Sequence, residues 1–141
     1  MIPPRYNFNM AMRRIAPQSA SLRILLVEDH GETLELFGRL LRHLGHEISM
    51  ADCVRCALRL VESKEFDLVL ADICLPDGNG YEVISEAKRI QPVKAVALTG
   101  LGTDEDIQRS REAGFDFHLT KPVDFFELRT VLSQIGSVGK R

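Results

Sequence analysis

At roughly 100–200 residues per domain, a chain of 141 residues holds one domain and a short appendage, which excludes a two-domain enzyme. Apolar residues at 45% and charged residues at 27% suit a globular chain with a buried core, and no apolar run approaches the roughly 20 residues of a bilayer span. The net charge of -2 is uneven: residues 1–21 carry Arg5, Arg13 and Arg14 and no acid, so the remainder is acidic and argues against nucleic acid as a partner.

The basic leader lacks an apolar centre and contains Pro3, Pro4 and Pro17, so it reads as a mobile arm, a linker or a cloning remnant rather than a targeting signal. Three cysteines, an odd number, give no disulfide framework and point to a reducing cytoplasm, and the short apolar runs imply no membrane partner.

From Ser21 onward strands and helices alternate. Arg23–Val27 is a continuous apolar strand, and residues 32–44 follow with the helical stripe Leu34, Phe37, Leu41 and Leu44. Glu47–Met50 alternates as a half-exposed strand does, and 53–63 carries the stripe Val54, Ala57, Leu58 and Val61. Asp67–Ala71 is again a buried strand. Helix 80–90 opens with the capping pair Asn79 and Glu82, and strand Lys94–Leu98 follows.

Helix 103–113 has a cap in Thr103 and Asp106 but only Ile107 and Ala113 as apolar anchors, so it is expected to be the least firmly held element. Strand Phe115–Leu119 alternates like an edge, and helix 124–135 starts at the cap Asp124 with Glu127. Five strands alternating with five helices imply parallel pairing through right-handed crossovers. With the three apolar strands central, the expectation is a flavodoxin-like, doubly wound α/β sheet in the order 2-1-3-4-5 with five flanking helices.

Ligands in that topology bind beyond the carboxyl ends of the strands. Glu28 and Asp29 end the first strand, Asp72 the third, Thr99 and Gly100 the fourth, and Thr120, Lys121 and Pro122 the fifth. Carboxylates about 4 Å apart repel by about 4 kcal/mol per pair at an effective dielectric near 20, so the cluster calls for a hard divalent cation, and Mg2+ fits best. Lys121 and Thr99 can then hold phosphoryl oxygens while the Asp72 carboxylate attacks phosphorus.

The segments Ile24-Leu25-Leu26-Val27-Glu28-Asp29, Asp72-Ile73-Cys74-Leu75-Pro76-Asp77-Gly78-Asn79-Gly80, Ala97-Leu98-Thr99-Gly100 and Thr120-Lys121-Pro122 resemble the receiver domain of two-component response regulators. The resemblance covers about residues 22–136, within a receiver domain assigned to 22–141. It implies a phospho-accepting domain rather than an enzyme acting on other substrates, with Asp72 fed by a histidine kinase or phosphotransfer domain. It also implies Mg2+ held by Asp29, Asp72 and the Cys74 backbone carbonyl, with Glu28 acting through a metal-bound water, and a cis Lys121–Pro122 peptide.

By the same resemblance, Thr99 is a switch, and the downstream partner binds the face formed by helix 103–113, the fifth strand and helix 124–135. Cys74 and Leu101 occupy positions that influence loss of the phosphoryl group, which implies slow self-dephosphorylation. The family usually places Tyr or Phe three residues before the lysine, where this chain has His118, as receivers fused to hybrid sensor kinases do, so His118 is the candidate switch residue beside Thr99. The alternative reading is a receiver-like interaction module that is never phosphorylated.

Cys53-Val54-Arg55-Cys56 has the spacing of a redox or metal motif, but without an aromatic flank or a second pair it reads as ordinary helix packing. His30, His43 and His46 share no ligand spacing and read as surface residues.

Overall fold

The structure, a computed structural model, describes residues 21–100 and 104–139; the basic leader, Leu101 and the Thr103 cap lie outside the described residues. The elements are β1 (Arg23–Val27), α1 (Gly31–His43), β2 (Glu47–Ala51), α2 (Val54–Ser63), β3 (Leu68–Asp72), β4 (Cys74–Leu75), β5 (Gly78–Asn79), α3 (Gly80–Ile90), β6 (Lys94–Thr99), α4 (Asp104–Ala113), β7 (Phe117–Thr120) and α5 (Phe125–Gly139).

Five strands form one parallel sheet in the order β2-β1-β3-β6-β7, the flavodoxin-like order expected from the apolar runs. Because side chains alternate across a strand, each central run feeds two cores. Ile24, Leu26, Leu68, Leu70, Val96 and Leu98 meet α1 and α5 on one face. Leu25, Val27, Val69, Ala71, Ala95 and Ala97 meet α2 and α3 on the other. Neither core draws a residue from α4, where Ile107 and Ala113 are half-buried and the only fully buried side chain is Ser110, whose hydroxyl donates to the Asp106 carbonyl at 2.9 Å.

Several local expectations are corrected. Cys74–Leu75 and Gly78–Asn79 form a small antiparallel hairpin directly after β3, where no strand was expected. The fifth strand of the sheet begins at Phe117, not Phe115. Gly114, at φ 109°, lets α4 close with Gly114 N–H on the Arg111 carbonyl and Phe115 N–H on that of Ser110, and the Phe115 ring joins the α2–α3 core and meets Tyr81 at 6.1 Å.

The same closure at Gly45, φ 99°, folds His46 back over the end of α1, with His46 N–H on the Leu41 carbonyl. His46 is therefore buried rather than a surface residue, and its Nδ1 accepts from the Leu22 N–H at 3.0 Å. His30 is exposed and His43 half-buried.

Candidate functional site

The parallel register places Val27 beside Ala71 and Asp72 beside Leu98, so the residues that end β1, β3 and β6 emerge at one edge. β7 pairs Thr99 with Thr120, which puts Lys121 at the same edge, and its N–H donates to the Thr99 carbonyl at 2.7 Å. The Lys121–Pro122 peptide is cis, as the resemblance implied. Ligand oxygens of Glu28, Asp29 and Asp72 lie within 4.8 Å of one another.

Lys121 spans two of these acids, its Nζ lying 2.7 Å from Asp72 Oδ2 and 2.9 Å from Glu28 Oε2. Glu28 is almost wholly buried, at 1% exposure, and its other oxygen accepts from the His30 N–H at 3.2 Å. Asp72 is buried too, and its second oxygen accepts from the Cys74 N–H at 3.2 Å. Asp29 is exposed at the rim.

Burial pushes the Glu28 carboxyl above its ordinary pKa, the Asp72 charge adds to the rise, and the Lys121 hydrogen bond opposes it. Burial works against the Lys121 ammonium, but the hydrogen bonds and charges of Asp72 and Glu28 outweigh it and raise its pKa. The ammonium therefore stays charged, and one cation faces three acids. The remaining negative charge and the all-oxygen donor set suit a hard divalent ion that prefers carboxylates and water. A cleft of about 640 Å³ lies over these groups, and Leu36, Phe37, Val123 and Phe125 form its apolar side.

Thr99 is buried at the end of β6, and a Cβ on the following Gly100 would meet no atom within 4 Å. His118 pairs in register with Ala97 in the middle of β7, opposite in facing to Phe117 and Leu119 of the α1–α5 core. Both ring nitrogens of His118 are buried without a hydrogen-bond partner. Burial lowers its pKa, and Asp106 and Arg111 of α4 act on it in opposite senses.

The candidate residues Glu28, Asp29, Asp72, Cys74 and Lys121 thus meet at one cleft, while His118 sits apart in the sheet. Two features escaped sequence reasoning. Lys121 pairs with Glu28 as well as Asp72, a contact across 93 residues with no local signature. Asp77 in the hairpin turn reaches α2, where its two oxygens accept from Val54 N–H at 2.7 Å and Arg55 N–H at 3.1 Å, and those bonds hold its pKa low. An acid in a turn with no partner nearby in sequence was the only hint.

Comparison with known proteins shows the family to which this fold belongs. The chain is 32% identical over 118 residues to an uncharacterised 14.6 kDa protein of Leptolyngbya boryana, covering 82% of this chain and 90% of that one. It is 34% identical over 125 residues to the virulence sensor protein BvgS of Bordetella bronchiseptica, covering 81% of this chain but only 10% of BvgS. The receiver domain of sensor histidine kinase PA1611 from Pseudomonas aeruginosa, solved with magnesium coordinated in its active-site cleft, superposes with a TM-score of 0.72 at 31% identity over 83% of this chain and 99% of that one. The family model for the response regulator receiver domain matches residues 24–133, from β1 into α5 and so across the whole sheet and cleft, and the chain belongs to the receiver domains of two-component systems.

Proposed function

We propose that this domain accepts a phosphoryl group on Asp72 from a phosphohistidine of a histidine kinase or phosphotransfer domain. The observation that carries the reading is the placement of Lys121 Nζ at 2.7 Å from Asp72 within a cluster of three acids. A carboxylate oxygen of Asp72 attacks phosphorus, the phosphorus–nitrogen bond breaks, and the imidazole leaves with the bonding pair, so an acyl phosphate replaces the phosphoramidate.

Asp29, Asp72 and the Cys74 carbonyl hold Mg2+, with Glu28 contributing through a water. When bound, the ion neutralises charge on the phosphoryl oxygens. Lys121 turns from Asp72 to one phosphoryl oxygen while staying on Glu28, and the Thr99 hydroxyl takes another. Glu28, satisfied by the His30 N–H, fixes the lysine from the buried side.

The readout lies on α4, β7 and α5. Added negative charge at Asp72 draws Thr99 toward the cleft, and α4, which contributes to neither core, repacks beside His118. That face then meets the downstream partner.

Incubation with acetyl phosphate and Mg2+ tests the reading by intact-mass measurement. The parent gains one phosphoryl group, and chelation of the metal or Asp72→Asn abolishes the gain. Equal labelling of Asp72→Asn would overturn the assignment, and failure of the parent to gain mass would leave a docking module.

A further inference from the structure

The first turn of α2 brings the two thiols of the CxxC sequence together, with Cys56 also packed against the α2–α3 core as expected of it. Cys53 stands at the N-cap and Cys56 three residues later, and both are half-buried, while Val54 and Ala57 supply the buried face. Asp52 lies exposed just before them. Both sulfurs and a carboxylate oxygen of Asp52 lie within 4.8 Å of one another.

The Cys56 N–H donates to Cys53 Sγ at 3.2 Å, which holds that sulfur over the first turn of the helix.

We propose that Asp52, Cys53 and Cys56 form a binding site for a thiophilic divalent cation of the zinc class, separate from the carboxylate cleft. Bonds of about 2.3 Å to sulfur in a tetrahedral site put two sulfurs roughly 3.8 Å apart, so rotation of the side chains closes the site without moving the backbone. Three protein ligands leave the fourth position to solvent, which the partial exposure of both thiols allows. Mg2+ does not compete, because it prefers oxygen donors, and the soft ion is the poorer match for the all-carboxylate cleft. Asp77 holds the same turn through Val54 and Arg55, so the site is anchored to the hairpin that carries Cys74.

Titration of the reduced full chain with Co2+, in excess Mg2+, tests this by absorption. A sulfur-to-cobalt charge-transfer band saturating at one equivalent is expected, and the double variant Cys53→Ser/Cys56→Ser should lose it. Serine at the N-cap keeps an oxygen to cap the helix, so circular dichroism should be unchanged. Cys56→Ser alone should weaken cobalt binding by more than the roughly 10–100-fold typical of losing an outer-shell partner. Asp52→Asn should weaken it less, and Asp72→Asn should leave the band intact. Absence of the band at one equivalent, its persistence in the double variant, or a Cys53–Cys56 disulfide in protein kept under reductant would each overturn the proposal.

Discussion

A methyl group on Gly80 would lie 2.4 Å from the main-chain carbonyl oxygen of Asp72. The start of α3 is therefore pressed against the backbone of the proposed acceptor, and the Gly80 N–H donates to the Ile73 carbonyl at 2.8 Å. Gly80→Ala must push β3 and α3 apart, and overpacking of this kind costs about 1–3 kcal/mol. Urea denaturation should show that loss, together with a lower rate of acetyl phosphate labelling; a variant as stable as the parent would contradict the contact.

Lys121 balances two buried acids, so Lys121→Ala leaves Glu28 and Asp72 facing each other without their shared cation. In chelator the variant should lose about 1–3 kcal/mol, the usual result of leaving buried polar groups unpaired. Mg2+ should restore more stability to the variant than it adds to the parent, because it replaces part of the lost charge. Thermal melts with and without Mg2+ measure both effects.

His118 carries a pH dependence of known sign. Its pKa is lowered in the folded state by burial, so the unfolded chain binds the proton more tightly. The contribution of the neutral ring is fully present above the unfolded value of about 6.5 and is lost as pH falls from there toward the folded value. His118→Phe should flatten the stability profile below about pH 6.5, measured by urea midpoints. An unchanged slope would mean that the ring is not shielded as described.

Helix α4 should exchange its amide hydrogens ahead of the other four helices. Its burial rests on Ser110 and on half-buried Ile107 and Ala113, whereas α2 buries Val54, Ala57 and Val61. Hydrogen exchange read by mass spectrometry checks this, and the beryllofluoride-loaded protein should show its largest change in protection over the same helix.

The sheet was legible because each central strand is a continuous apolar run with both faces covered, and Ile24–Val27, Leu68–Ala71 and Ala95–Leu98 leave little choice of place. The cleft was legible because the carboxyl ends of parallel strands share one edge, so Glu28, Asp29, Asp72 and Lys121 could be brought together from order alone. The Asn79 and Asp124 caps were equally local, and their side chains accept from Glu82 N–H at 3.2 Å and Phe126 N–H at 2.8 Å.

Tertiary structure alone decided the rest. Whether Lys121 pairs with one acid or two depends on how far β7 advances past β6, and whether His46 meets water depends on how the turn at Gly45 folds back toward Leu22. Hydropathy marks side chains that must leave water, a property each residue carries by itself. Hydrogen bonds and charge pairs form over a few ångströms, between residues tens of positions apart, and only the finished packing fixes those distances.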